Sequence, residues 1–364
     1  MIYKERDQIN PEEYIIATYK GLDKKGAWDT AIGQSVGNPE YRSKWETEEL
    51  FRDHSCLILE DGQIAFPLIN IDLRTDGISH LLVMLMGGQL DIRGIDHCQL
   101  VKLEFPEQAK ACFRGPKHGI KGIRNYTKCQ DRPLLGGIIK PKTGVSPSVM
   151  LDMVKEMVDG GVNFIKEDEI LSDPSFCRIK DRVPMIMDYL HDKDVIYSVS
   201  IHADPPYLLD RVKLVNQLGG NSVHVNFWCG LGSYKAIREL DLDMFVHFQK
   251  SGDKIFTNPN HNFSIAWPVV CQLIGMMGVD FAHAGMIGGY YKWDEQETYD
   301  AIETLRTHGV MPALSCGFND EITAEVTEKV GIDYMANVGG FMHSYPGGTR
   351  AGAKAMRKSI DNLI

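Results

Sequence analysis

The chain has 364 residues, 43% of them hydrophobic and 24% charged, with a net charge of −10. That is room for a barrel of about 250 residues and a smaller domain, and no apolar run reaches the roughly 18 residues a membrane span needs. The first residues, MIYKERDQINPEEY, lack the apolar core of a signal peptide, and no Lys/Arg cluster is dense enough for a nucleic-acid surface. The expected location is therefore the cytoplasm, with neither nucleic acid nor membrane as partner. Eight scattered cysteines without a C-x-x-C pair point to neither a zinc knuckle nor a disulfide framework. They read as buried free thiols, apart from Cys316 at a strand end.

In chain order, Glu13–Lys20, Ser55–Leu59, Ile64–Asn70 and Cys98–Phe105 read as strands, and the apolar stretch Ile78–Met86 as the start of a helix. Strands and helices interspersed in this way predict a small α+β domain on an antiparallel sheet, over residues 1–126. The Gly- and Pro-containing stretch FRGPKHGIKGIRNY at 113–126 marks the connection.

From about residue 133 the pattern becomes strand, polar or Gly-rich turn, amphipathic helix, repeated. Apolar runs fall at Leu134–Ile139, Val162–Ile165, Val195–Ile201, Ser222–Asn226, Met244–Phe248, Asp280–His283, Met311–Ser315 and Tyr334–Val338, and helical patterns follow, as at 146–161 and 319–331. Eight such units predict a closed (β/α)8 barrel over residues 127–364, with chemistry at the carboxyl ends of its strands. A doubly wound open sheet is the runner-up. It would want a Gly-rich turn after its first strand, where this chain has Lys140-Pro141-Lys142.

The second barrel strand ends in Lys166-Glu167-Asp168-Glu169. Alternation puts Lys166 and Asp168 on one face, with Glu169 just beyond. Two carboxylates at the catalytic rim suit a hard cation such as Mg²⁺; a plain salt-bridge cluster fits the residues equally well. Lys140 and Lys142, at the end of the first strand, offer a proton carrier and an anion contact. Taken alone they also fit two solvated loop lysines. Ser315-Cys316-Gly317 and Gly339-Gly340 end the seventh and eighth strands, the usual phosphate site of such barrels. His283 ends the sixth strand, His247 lies in the fifth, and Trp228 with Tyr290-Tyr291 could wall a pocket or merely pack.

In order along the chain, Arg132-Pro133-Leu134-Leu135-Gly136, Ile139-Lys140-Pro141-Lys142 and the run from Gly160 to Glu169 resemble the RuBisCO superfamily. Gly115-Pro116, Gly119-Ile120, Ser315-Cys316-Gly317 and Gly339-Gly340 fit it too, so the resemblance runs from about residue 12 to the C-terminus. It implies that Lys166 takes up CO2 as a carbamate and ligates Mg²⁺ with Asp168 and Glu169. It also implies that Lys140 is the acid/base at the carbanion carbon. Lys142, His283, Ser315, Gly317, Gly339 and Gly340 then match substrate and phosphate contacts. A homodimer or higher homo-oligomer is the matching expectation.

The departures are as informative. Tyr290 stands where the family's CO2-gripping lysine belongs, Gln34 where its N-terminal glutamate belongs, and Gly88 where it has asparagine. Phe248 replaces an arginine that grips a second phosphate, which suggests a substrate with one phosphate. The resemblance is therefore to the non-carboxylating, RuBisCO-like branch. The stretch 33–37, Ser251-Gly252 and Asn226 are shared with the 2,3-diketo-5-methylthiopentyl-1-phosphate enolase of methionine salvage. That enolase's N-terminal-domain lysine base is missing at Gly88 or Gln89, while the Lys-Pro-Lys loop it lacks is kept. Decarboxylation of 3-oxo-isoapionate 4-phosphate, in apiose breakdown, needs neither that base nor a CO2-gripping lysine, and is the expected reaction. The enolase is second, a methylthioribulose-phosphate isomerase third, and a catalytically inactive scaffold or sensor the reading from another class.

Overall fold

The computed structural model describes residues 2–37, 43–60, 62–91, 93–290 and 294–363. It divides into two compact units, residues 1–114 with 252–273, and residues 115–251 with 274–364. The sequence reading drew its line at 126/127. The helix Gly119–Thr127 belongs instead with the barrel, because Ile123 packs into the barrel's apolar cluster.

In the first unit, β1 (Tyr14–Lys20), β2 (Leu57–Ile58), β3 (Gln63–Pro67) and β4 (Cys98–Glu104) alternate with the helices Lys24–Gly33 and Gly77–Met86. The order β4-β1-β3-β2, all antiparallel, is the ferredoxin-like arrangement. Burial explains the register: Ile15, Ile16 and Ala17 of β1 and Ile64, Ala65 and Phe66 of β3 are all nearly inaccessible. One strand went unforeseen. β10 (Phe263–Ile265) pairs parallel with β4 and makes the sheet mixed. Three residues are too few for alternation to show.

In the second unit, β5 (Leu134–Ile138), β6 (Phe164–Lys166), β7 (Ile196–Ser200), β8 (Ser222–Asn226), β9 (Phe245–Gln249), β11 (Phe281–Gly285), β12 (Met311–Leu314) and β13 (Met335–Val338) form a closed parallel barrel. The pairing of β9 with β11 completes the ring. The first crossover shows how local chemistry sets the elements: Ser146 Oγ accepts the Val149 N–H, Pro147 occupies the first turn, and the helix Pro147–Asp159 follows.

The barrel interior is graded along its axis. Leu134, Phe164, Ile196, Phe245, Phe281, Met311 and Met335, at or next to the first position of their strands, join Ile123 and Cys129 in one buried cluster. Toward the carboxyl ends the buried residues turn polar: Lys166, Asp168, His224, His247, His283 and Asn337. Apolar burial stabilises one end at about 25 cal/mol per Å², and the other end is left to chemistry. Among the described residues no helix is long and apolar enough to cross a membrane.

Candidate functional site

β6 delivers the centre of the site. Lys166, its last residue, is 1% exposed, and its Nζ donates to Glu169 Oε2 at 3.1 Å. Burial lowers the Lys166 pKa, and the Glu169 carboxylate only partly offsets it. Asp168, equally buried, accepts a hydrogen bond from Lys140 Nζ, which arrives from the loop after β5. Burial by itself would raise the Glu169 carboxyl. The charge of Lys166 and the Ser251 hydroxyl outweigh it and hold the group well below the usual carboxylate range. The ion pair of Lys166 expected as the plain alternative is therefore present, while Lys140, which could have been a solvated loop lysine, pairs with Asp168 instead.

Glu167, between them in sequence, faces the other way. Its Oε1 accepts from Arg182 Nε at 2.6 Å and from the Tyr197 hydroxyl at 2.5 Å, and its Oε2 from Arg182 Nη2 at 2.8 Å and Ser200 N at 2.7 Å. Arg182 also donates to the Cys177 and Ser172 carbonyls, at 2.5 Å and 2.6 Å. Each oxygen of this buried carboxylate already accepts two hydrogen bonds from fixed donors, so it has no capacity for substrate.

The end of β9 supports the cluster. Gln249 Nε2 donates to Ser251 Oγ at 2.7 Å, and Ser251 Oγ donates to Glu169 Oε1 at 2.7 Å. Asn226 Nδ2 holds the Ser251 carbonyl at 3.0 Å. Ser251 and Asn226 had entered the sequence reading only as shared motif positions; the structure makes them the support of Glu169.

On the following strands, His283 Nε2 and Ser315 Oγ are hydrogen-bonded, and burial, then the charges of Lys250 and Lys166, push His283 down to about 3. The imidazole is neutral at pH 7. Cys316 holds a left-handed conformation at φ 82°, and Gly317 one at φ 102°. A Cβ on Gly317 would lie 2.8 Å from Tyr290 Cδ1, so the turn requires glycine. A Cβ on Gly339 would lie 3.3 Å from Lys140 Cε, which brings the loop after β13 against the Lys140 side chain. Gly340 opens the short helix Gly340–Ser344. Lys142 is exposed and takes no part in the hydrogen-bonded cluster.

Sequence reasoning missed a row of imidazoles. His202 and His224 meet edge to face at 4.9 Å between ring centroids, and His224 and His247 at 5.5 Å. Neither ring nitrogen of His224 or His247 has a protein partner. His202 directly follows the predicted strand Val195–Ile201 and His224 lies within the predicted strand Ser222–Asn226, a signal that was available. Of the expected walls, Trp228 and Tyr290 are exposed, at 58% and 74%, and Tyr291 lies outside the described residues. Phe248 is buried and packs on Tyr234 at 5.1 Å. In the first unit, the Gln34 amide is committed to the Val83 and Met84 carbonyls, at 2.8 Å and 2.9 Å.

Among the described residues no three His, Cys, Asp or Glu side chains gather as a metal site. Two carboxylates beside one buried amine are one oxygen donor short of a three-ligand site for a hard cation. An oxygen-bearing adduct on Lys166 would supply that donor, and lowered proton affinity favours the neutral amine that forms one.

Comparison with known proteins agrees with this architecture. Residues 119–364, more than half of the chain, match the family described as ribulose bisphosphate carboxylase large chain, catalytic domain. A 3-oxo-isoapionate-4-phosphate decarboxylase from Rhizobium etli is 31% identical over 315 residues, 82% of this chain and 74% of that protein. Among solved structures, the octameric RuBisCO of Pyrococcus horikoshii superposes with a TM-score of 0.86 at 23% identity, covering 99% of this chain and 90% of the other. A rubisco-like protein (MtnW) from Alicyclobacillus acidocaldarius gives a TM-score of 0.85 at 24% identity, over 97% and 94%. At those identities the two structures speak for the fold alone.

Proposed function

We propose that this chain, which belongs to the RuBisCO large-chain family, is a decarboxylase of a phosphorylated branched 3-keto sugar acid, 3-oxo-isoapionate 4-phosphate. The observation that carries the reading is the hydrogen bond between Lys140 and Asp168, which holds an ammonium beside the carboxylates of the rim. The similarity to the Rhizobium etli decarboxylase supports it.

Lys166, Asp168 and Glu169 would hold Mg²⁺, with Lys166 carrying CO2 as a carbamate. The cation would supply Lewis-acid polarisation of the keto oxygen. Loss of CO2 breaks the bond between the carboxyl and its neighbouring carbon, and the electron pair passes into the keto group to give an enediolate. Lys140 Nζ then transfers a proton to the carbon that lost CO2 and is reprotonated from solvent. Asp168 holds that nitrogen in place before the transfer. Ser251 keeps Glu169 ionised and oriented, as supports of metal-binding carboxylates do.

The backbone around Gly317, Gly339 and Gly340, with Ser315 and His283, is the proposed phosphate side of the pocket, and the exposed Lys142 is a further proposed substrate contact. Carboxylation of a bisphosphate does not fit, since Tyr290 stands where the CO2-gripping lysine would be. The octameric state of the Pyrococcus horikoshii enzyme supports expecting a homo-oligomer. The test offers the keto-acid phosphate and, separately, the methylthio diketone phosphate, in D2O with Mg²⁺ and bicarbonate, followed by proton NMR. One deuteron in a product one carbon shorter is expected. Enol formation from the diketone alone would move the protein to methionine salvage.

A further inference from the structure

The first unit holds a cavity of about 570 Å³ that shares no residue with the rim cluster. Its size falls within the about 300–1,000 Å³ typical of small-molecule sites. The N-terminal segment, the helix Lys24–Gly33 and the helix Glu48–His54 all contribute to its lining. Lys4 N donates to the Ile58 carbonyl at 3.0 Å and Ile58 N to the Ile2 carbonyl at 2.8 Å, which stitches the N-terminal segment to β2. Tyr14 and Leu57 line the cavity and also pack on the apolar cluster of Ile16, Leu59 and Ala65. Trp28 and Phe51, one from each helix, add ring surface to the wall.

Ser55 gives the cavity a polar floor. It ends the helix Glu48–His54, its N–H donating to the Phe51 carbonyl at 3.2 Å, and it is 3% exposed. Its hydroxyl lines the cavity and has no hydrogen-bond partner among the described residues. A buried hydroxyl is rarely left unpaired, and a ligand with a polar ring atom would pair this one. The exposed lining residues carry both signs, Lys4 and Arg52 against Glu13 and Glu48. A simple ion would meet repulsion there as well as attraction, whereas a zwitterion finds a partner for each of its charges.

We propose that this cavity binds an aromatic α-amino acid whose ring carries a polar atom, an indole or a phenol. The ring lies against Trp28 and Phe51, its polar atom pairs with the Ser55 hydroxyl, and the ammonium and carboxylate sit among the charges of the mouth. The proposal does not depend on the reaction assigned to the rim.

Calorimetric titration of the full-length protein with L-tryptophan tests it, beside L-phenylalanine, tryptamine and indole-3-propionate. Wild type should bind tryptophan, and should bind tryptamine and indole-3-propionate, each lacking one charge, about two- to fivefold more weakly. Ser55→Ala should weaken tryptophan about three- to tenfold and leave phenylalanine unchanged, since phenylalanine offers the hydroxyl no partner. Lys4→Met should weaken tryptophan and indole-3-propionate but not tryptamine. Failure of wild type to take up tryptophan overturns the proposal. So does equal loss of tryptophan and phenylalanine in Ser55→Ala, which would mark Ser55 as a packing residue, or equal affinity for tryptophan and tryptamine, which would remove the zwitterion.

Discussion

Glu167 and its neighbours Lys166 and Asp168 share one strand end and nearly the same burial, at 0%, 1% and 1% exposure, but they belong to two different regions. Glu167 points out of the barrel into a closed network with Arg182, Tyr197 and Ser200, where both carboxylate oxygens are satisfied by fixed donors. Lys166 and Asp168 point inward, and among the described residues each has one side-chain ion-pair partner, Glu169 and Lys140. A saturated carboxylate fixes structure and binds nothing further. Asp168 Oδ1 accepts the Ile170 N–H at 3.3 Å, but its Oδ2 is held by the Lys140 ammonium, a partner that a cation can replace. Strand alternation separates the two roles within four residues.

The sharpest break of this comparison is Lys166→Ala. Losing the inward amine should abolish CO2 release, by a factor of at least about 10³ if three ligands are needed. The thermal midpoint should hold or rise, because a buried amine with lowered proton affinity is a burden on the fold. Glu167→Gln should do the reverse. Breaking the buried pair with Arg182 costs about 3–5 kcal/mol, read as a lower denaturation midpoint, while the molecules that remain folded keep their turnover.

Lys140→Met tests the inward face more narrowly. Removing the proton donor should slow turnover by about 10²–10⁴-fold with little change in stability, measured by steady-state rates and thermal unfolding together. Ser251→Ala sits between the two regions, since it touches Glu169 without being a proposed ligand. It should weaken Mg²⁺ uptake by about 10–100-fold, read by titration in bicarbonate.

The smallest effect concerns pH. His283 is held down to about 3 and His202 to about 4, in both cases chiefly by burial, while an unfolded histidine titrates near 6.5. Below about pH 6.5 the unfolded chain binds the extra protons and the native one does not, so stability falls as pH drops toward 4. The Glu169 carboxyl, held below its ordinary range by Lys166 and Ser251 against burial, loses its stabilising share only at still lower pH. Denaturation curves at pH 7, 6, 5 and 4 should show the decline. His202→Asn should flatten part of it.

How much of this was legible in the sequence follows from the same geometry. Lys140, Lys166, Asp168 and Glu169 could be found because strand ends in a barrel face one mouth, and the strand pattern located those ends. The role of Glu167 could not be read, since its partner Arg182 lies fifteen residues on and nothing local shows which carboxylate it meets. β10 escaped notice because three residues lying between two barrel strands carry no period. The boundary at Gly115 was missed because the helix Gly119–Thr127 contributes to the barrel through the contacts of Ile123, which the glycines and single proline of its linker-like segment concealed.

The most direct test is the fate of the carboxyl carbon. With the keto-acid phosphate labelled by ¹³C at its carboxyl, Mg²⁺ and bicarbonate, the wild-type protein should release labelled CO2 in step with substrate loss, and Lys166→Ala should release none. Label retained in the product as substrate is consumed, or equal release by Lys166→Ala, would contradict the assignment of this chemistry to the inward face of the strand end.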